Sequence, residues 1–400
     1  MRILYLTHRL PYAPDRGDRI RAYHTLRALS AQADVHLVSL VHDRDEERRA
    51  LSLRDAGMRV TTVMVPRLRN MARAVALLPS RQPLTHLLLH APAARARIAS
   101  ICRRWRPDAA LVYCSGMAPL AMAAPLDGIP FVLDMVDVDS AKWIAYARTS
   151  RAPLRWVYAR EAKCLARFEA AAARRAHATL VVTERERLDL AAIAPGADIR
   201  VIGNGIDLDS FRPAGGPSAI PRLVFTGVFN YRPNERGALW FAREVWPAVC
   251  TARPDARLTL VGANPTPAIR ALSAADPTIE VTGTVADVRP WLWSASVAVA
   301  PLLEARGVQN KVLEALAAGV PMVTTPAVAA GLPDAALPGC RVTADPDEYA
   351  RLVIDLLSRT ADERRAIACH ADLSSLGWDQ RLAPLLPLME SAAVRDQGLR

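Results

Sequence analysis

Arg306-Gly-Val-Gln-Asn-Lys-Val-Leu-Glu-Ala-Leu-Ala-Ala-Gly-Val-Pro-Met-Val-Thr324 decides how this chain is read. An apolar run, Ser296-Val-Ala-Val-Ala-Pro301, precedes it and predicts a buried parallel strand. A helix is expected to open near Asn310, to end at Gly319 and to lead into a second apolar strand over Pro321–Thr324. The N-terminus of such a helix carries unpaired N–H groups and the positive end of the dipole, which attract anions. Lys311 adds a compact charge in the first turn, and Glu314 offers a carboxylate to a sugar diol. A nucleoside diphosphate with its ribose satisfies all three features. Glu314 also has a plain structural reading, as a carboxylate favoured early in a helix.

Composition sharpens the reading of Lys311. Of 51 Lys plus Arg only Lys142, Lys163 and Lys311 are Lys, so Lys is kept in a chain that otherwise uses Arg. A planar guanidinium and a compact ammonium are not interchangeable beside a phosphate. Codon bias would also leave a few Lys behind, and Lys163 is read that way.

The 400 residues, 51% of them hydrophobic, allow two domains with separate cores. Six Cys without metal-ligand spacing predict a reducing compartment, and no apolar window is long enough to span a bilayer. A cytoplasmic location is expected, possible membrane association being peripheral. The net charge of +11 is one-sided, because residues 1–212 hold 33 Lys plus Arg against 21 Asp plus Glu. Arg95, Arg97, Arg103, Arg104 and Arg106 surround Trp105 in that half. An anionic membrane surface or a lipid-pyrophosphate acceptor suits this field better than nucleic acid, for which no binding motif is present. Solvated helices of an Arg-rich chain would look the same.

Strand and helix patterns alternate throughout, predicting parallel sheets covered on both faces. Strands are expected at Arg2–Thr7, Asp34–Leu40, Val60–Val65, Ala109–Cys114, Phe131–Val136, Thr179–Thr183 and Ile199–Ile202. A second series follows at Leu223–Thr226, Arg257–Val261, Ile279–Thr282, Ser296–Pro301 and Pro321–Thr324. Turn formers between Gly203 and Pro217 mark the boundary, giving domains of residues 1–206 and 207–373. Residues 374–400 form an amphipathic tail with Trp378, Leu382, Leu385, Leu386 and Met389 on its apolar side, expected to pack back toward the first domain.

Gly203-Asn-Gly-Ile-Asp207, Phe225-Thr-Gly227, Leu260-Val-Gly262, Val281-Thr-Gly283 and Glu314-Ala-Leu-Ala-Ala-Gly-Val-Pro321 together resemble the family 4 glycosyltransferases, retaining enzymes of the GT-B fold. Thr7-His-Arg-Leu-Pro11, Gly17-Asp18, Asp134 through Trp143, Tyr231-Arg-Pro-Asn234 and Arg306 through Lys311 look like the narrower group of sugar transferases found with PEP-CTERM/exosortase and exopolysaccharide loci. The resemblance implies two Rossmann-like domains facing a cleft. It also implies sugar transfer from a nucleotide-diphosphate sugar to a glycan or polyprenyl-linked acceptor, with no metal and no separate cofactor. Glu314 matches the second Glu of the family's E-x7-E pattern, and the first falls at Arg306. Arg306 is therefore left to meet an anionic group of donor or acceptor. The family's basic pair is replaced by Val228 and Asn234. On this reading the donor meets Gly17, Gly227, Arg306, Gln309, Asn310, Lys311 and Glu314. Lys311 and Arg306 stabilise the leaving diphosphate, and Asp137, after the Phe131–Val136 strand, stands near the anomeric carbon. His8, Arg9 and Lys142 are assigned to the acceptor side.

Three alternatives accompany these assignments. His8 as a backbone-satisfied loop residue is one, and Asp134, Asp137 and Asp139 as caps of a turn or helix is another. Asp137-Val-Asp139 as a metal-binding D-x-D is the third. At the level of function, a sugar-nucleotide epimerase and a non-catalytic GT-B scaffold are the competing readings.

Overall fold

In the first half of the chain, apolar runs such as Ile3-Leu-Tyr-Leu6 and Ala109-Ala-Leu-Val-Tyr113 are buried on both sides, as the strands of a covered parallel sheet must be. The computed structural model describes residues 1–12, 17–213, 220–305 and 307–397. It divides into two compact units, Met1–Gly205 with Trp378–Arg400, and Ile206–Gly377.

The first unit holds β1 (Arg2–Thr7), β2 (Asp34–Val41), β3 (Arg59–Met64), β4 (Ala109–Tyr113), β5 (Phe131–Val136), β6 (Ala178–Val181) and β7 (Ile199–Val201). These form one sheet in the order 3-2-1-4-5-6-7, every pairing parallel. Helices α1 (Gly17–Ser30), α2 (Arg44–Asp55), α3 (Arg67–Ala76), α4 (Leu84–Leu88) and α5 (Pro92–Trp105) connect the strands before β4. Two core clusters cover its opposite faces. Among the inward groups is a buried ion pair. The Arg21 guanidinium donates to both Asp134 carboxylate oxygens at 2.9 and 3.1 Å, and to the Gly203 carbonyl and Asn204 Oδ1.

The second unit holds β8 (Arg222–Thr226), β9 (Arg257–Val261), β10 (Ile279–Gly283), β11 (Val297–Ala300), β12 (Met322–Thr324) and β13 (Cys340–Val342), in the order 10-9-8-11-12-13, again all parallel. Phe241 and Trp246, each 1% exposed, are part of its core.

The amphipathic tail is two helices rather than one. Trp378–Leu382 and Leu385–Gln397 are separated at Ala383-Pro384, because Pro supplies no N–H to a helix interior. Trp378, Leu382, Leu385 and Met389 are buried in the first unit's core with strands β1, β2 and β4, and His24 of α1 stacks on Trp378 at 4.7 Å. Residues 374–377 stay with the second unit, where the Ile206 N–H donates to the Leu376 carbonyl at 2.9 Å. A Cβ on Gly205 would lie 2.6 Å from the Trp378 Cα, which holds that position to glycine.

Candidate functional site

An open parallel sheet binds ligands beyond the carboxyl ends of its strands, where the strand order reverses. In the second unit the reversal lies between β8 and β11. Gly227 follows β8 there, and its backbone is pressed against Gly262 after β9. A Cβ on Gly262, at φ +144, would meet the Gly227 carbonyl oxygen at 1.9 Å. A Cβ on Gly227 would meet the Asn234 amide at 2.9 Å and the Lys311 ammonium at 3.3 Å. The two glycines thus let the turn after β8 close onto a side-chain cluster.

Lys311 is the centre of that cluster. It occupies the second position of the Asn310–Ala317 helix, donates to Asn234 Oδ1 at 2.6 Å and lies 4.8 Å from the Phe225 ring centre. The Asn234 amide in turn donates to the Val228 carbonyl at 3.0 Å, so its orientation is fixed. The helix starts at Gln309 with no side-chain cap and no acidic residue in its first turn. Its N-terminal N–H groups and Lys311 form an electropositive end that suits a phosphate. Lys311 and Glu314 keep part of their surface in solvent, while protein atoms crowd their charged ends. Burial brings the Lys311 ammonium down to about 8, with Glu314 acting against the shift. Burial brings the Glu314 carboxyl up to about 7, and Lys311 opposes it. Glu314 lies one turn into the helix, so the reading of it as a first-turn carboxylate is corrected. Gln309 and Asn310 flank the same end, Asn310 exposed. Arg306 lies outside the described residues. Glu304, two positions before it, pairs with Arg236 at 2.6 Å.

The other assigned residues lie in the first unit. Gly17 opens α1, directly after residues 13–16. His8 and Arg9 follow β1, at the reversal between β1 and β4. The His8 ring stacks on Tyr113 at 5.8 Å, its Nδ1 is 3.3 Å from Cys114 Sγ, and its carbonyl lies 2.9 Å from His42 Nε2. Arg9 reaches Glu46 at 3.4 Å. The same buried carboxylate takes Arg19 at 2.6 Å and the His42 N–H at 2.8 Å. Glu46 is therefore a hub that the sequence reading missed.

Asp137 follows β5 through a strained turn. Its N–H donates to the Met135 carbonyl at 2.9 Å around Val136, whose φ is +69. A β-branched residue there is a true outlier, and such strain gathers at functional positions. Asp137 is exposed, yet the surrounding protein raises its carboxyl, and Lys142 and Arg21 draw it back. Burial raises Asp139 also, against Lys142, and Asp139 accepts from Ser115 Oγ at 3.2 Å. Asp134, the third carboxylate of that run, is committed to Arg21 and caps nothing. Among the described residues no group of three or more His, Cys, Asp or Glu side chains is placed to hold a metal.

Two family models match the chain. A glycosyl transferase 4-like domain covers residues 16–205 and a glycosyl transferases group 1 domain covers 220–359. A search of curated proteins finds no match. Solved structures similar over the whole chain include HepE of Anabaena in complex with UDP and glucose, at 14% identity, 97% of this chain, 99% of that one and a TM-score of 0.62. A TarM mutant of S. aureus, in complex with fondaparinux, alpha-GlcNAc-glycerol and UDP, matches at 9% identity, 97% and 100% coverage and 0.64. WaaG, a glycosyltransferase involved in lipopolysaccharide biosynthesis, matches at 16% identity, 98% coverage of both chains and 0.57. At these identities the likeness speaks for the fold.

Proposed function

The chain belongs to the family 4 glycosyltransferases of GT-B fold, and on that premise we propose that it moves a sugar, with retention and without a metal, from a nucleoside diphosphate sugar to a glycan or polyprenyl-linked acceptor. The observation that carries this is Lys311, oriented by Asn234 beside an uncapped helix N-terminus at the strand reversal. Charge develops on the leaving diphosphate as the glycosidic bond breaks. Preorganised donors there are worth on the order of 2–4 kcal/mol of barrier each. The departing phosphate oxygen takes the proton of the attacking hydroxyl, so no protein base is required for the transfer. In this reading Glu314 holds the ribose diol, Gln309, Asn310 and the Gly227 turn line the diphosphate, and Gly17 lets the donor approach α1. Arg306 meets an anionic group in place of the family's Glu.

Asp137 stands beside the anomeric carbon, where its carboxylate stabilises positive charge on the sugar. His8, Arg9 and Lys142 meet the acceptor. UDP is the first donor nucleotide to test, because the HepE and TarM structures were solved with it. We place the reaction in exopolysaccharide or other cell-surface glycan synthesis, as the PEP-CTERM/exosortase-type motifs suggest, on the cytoplasmic side of a membrane.

Turnover with a UDP-sugar panel and a polyprenyl-phosphate acceptor, followed by NMR of the product anomer in EDTA, tests the proposal. Retained configuration in EDTA supports it. An inverted product, loss of turnover on chelation, or epimerised donor without transfer overturns it.

A further inference from the structure

The turn that carries Asp137 is held by carboxylates from elsewhere in the chain. Its own sequence offers no cap, because the Asp139–Thr149 helix starts at Val138, whose apolar side chain accepts no hydrogen bond. Two glutamates from later helices take that place. Glu186, on the Glu184–Ile193 helix, accepts the Val138 N–H at 2.6 Å. Glu169, on the Leu154–Arg175 helix and 0% exposed, accepts the Ser140 N–H at 3.2 Å with one oxygen and the Ser140 hydroxyl with the other. The Asp139 N–H is directed at the same carboxylate.

Upstream the backbone is pinned as well. The pairing of β5 with β6 slips between Asp134 and Val136, a bulge of the kind that re-aims side chains beside ligand sites. The Val136 carbonyl accepts from the Val182 N–H at 3.0 Å, and the Asp137 N–H is taken by Met135. Every N–H from Asp137 to Ser140 thus has an acceptor. The Asp137 carboxylate, by contrast, is exposed and takes no hydrogen bond among the described residues.

Capping alone does not account for this division. The same Leu154–Arg175 helix shows a plain cap: Glu161 accepts the Leu84 and Thr85 N–H groups at 2.8 and 2.9 Å at the start of α4, whose own sequence holds no carboxylate. The Asp137 turn already has two carboxylates of the type that caps helices, and uses neither for that purpose. Two more acidic groups add repulsion. Burial raises Glu169 to about 7 with Asp139 adding to the shift, and burial raises Glu186 with Asp137 adding to it. The outcome is a helix start of unusual polarity. In the second unit the Asn310–Ala317 helix opens uncapped beside Lys311 and favours an anion. In the first unit Glu169 and Glu186 cover the equivalent N–H groups, so the field at Asp137 has the sign that stabilises positive charge.

We propose that Glu186 and Glu169 are positioning residues for sugar transfer: by taking the N–H groups that follow Asp137 they fix its backbone and leave its carboxylate to face the anomeric centre of the donor. The inference rests on the transferase reading and on the place that reading gives Asp137.

The test is steady-state kinetics with polyprenyl phosphate and a panel of UDP-, GDP- and dTDP-sugars, on variants that separate position from stability. Glu186 is half-buried, so Glu186→Ala should fold, which circular dichroism checks. Its kcat is expected to fall about tenfold or more, with donor KM within about twofold of the parent. Glu186→Gln keeps an oxygen for the Val138 N–H and should restore kcat to within about threefold. Glu169→Gln keeps one of its two acceptor oxygens, and an intermediate fall is expected. In an Asp137→Ala background, itself lowered about a hundredfold, Glu186→Ala should cost nothing further, because the carboxylate it acts through is gone. Glu161→Gln is the control, expected to lower the melting temperature and leave kcat unchanged. Losses that multiply in the double variant, or a Glu186→Ala kcat equal to the parent's, overturn the inference and leave the transferase reading intact. So does an equal loss of kcat in Glu161→Gln, which would make the effect one of stability. A parent that transfers no sugar from any donor of the panel overturns both.

Discussion

The two strand reversals of this molecule solve the same problem by different means. Beyond β8 and β11, backbone meets backbone: Gly262 packs on Gly227, and the space released is filled by one ammonium and its amide partner. Beyond β1 and β4, side chains meet side chains, with Glu46 gathering Arg9, Arg19 and the His42 N–H, and Arg21 locked to Asp134. A site made by close backbone approach is intolerant of added atoms. One made by an ionic hub is intolerant of removed charge. The first suits a ligand of fixed shape, such as a diphosphate. The second would suit loops that meet a more variable molecule.

The comparison is most easily broken at Gly262. Gly262→Ala places a Cβ 1.9 Å from a carbonyl oxygen at a φ of +144, and neither atom belongs to a side chain that can turn away. A loss of about 4 kcal/mol or more is expected, read as a drop in denaturant midpoint. In the first unit the corresponding weak point is Arg21. Arg21→Met strands the buried Asp134 carboxylate, at a cost of about 3–5 kcal/mol. Adding Asp134→Leu should recover part of it, and chemical denaturation of both variants measures the difference.

Activity sharpens the contrast. Asn234→Ala removes the acceptor that orients Lys311, and turnover is expected to fall about tenfold, corresponding to roughly 1–2 kcal/mol. Steady-state kinetics should show the fall mainly in kcat, with the fold intact by circular dichroism.

The smallest effect is a pH dependence. Glu314 is raised in the folded chain to about 7, so the native state holds a proton that the unfolded state releases above its ordinary value of 4.5. Its contribution to stability is complete below that value and lost as pH rises toward about 7. Lys311 runs the other way. Lowered from 10.5 to about 8, it costs stability as pH falls through that interval. Glu314→Gln should therefore flatten the melting temperature between pH 4.5 and about 7. Its effect above pH 8 is set by the loss of the charge opposite Lys311. Calorimetric scans across pH check both signs.

Much of the frame was legible. The strands Arg2–Thr7, Phe131–Val136 and Arg257–Val261 lie where their apolar runs place them, since buried parallel strands announce themselves by composition. Strand β13 is not among the expected strands, because Cys340-Arg-Val342 puts an Arg between its two apolar residues and forms no apolar run. Lys311 stood out by rarity. Its partner did not: Asn234 is 77 residues away and neutral where the family carries a base, so only the fold reveals that it aims the ammonium. Val136 gives no sign of its positive φ, because a β-branched residue in a strand run predicts extended backbone. Glu46 reads as one charge among several in α2, and its partners Arg9, Arg19 and His42 lie on other segments of the chain. For α3, periodicity describes an apolar stripe but cannot say which side meets the sheet.

Everything proposed for the donor rests on Lys311 holding its diphosphate. Its most direct test is calorimetric titration of UDP into the parent chain, Lys311→Ala and Lys311→Arg at pH 7 in EDTA. Binding by the parent is expected, weakening about a hundredfold in Lys311→Ala, the equivalent of nearly 3 kcal/mol. Little rescue by Arg is expected, because its broader head cannot fit between Gly227 and Asn234. Equal affinity in all three proteins would contradict it.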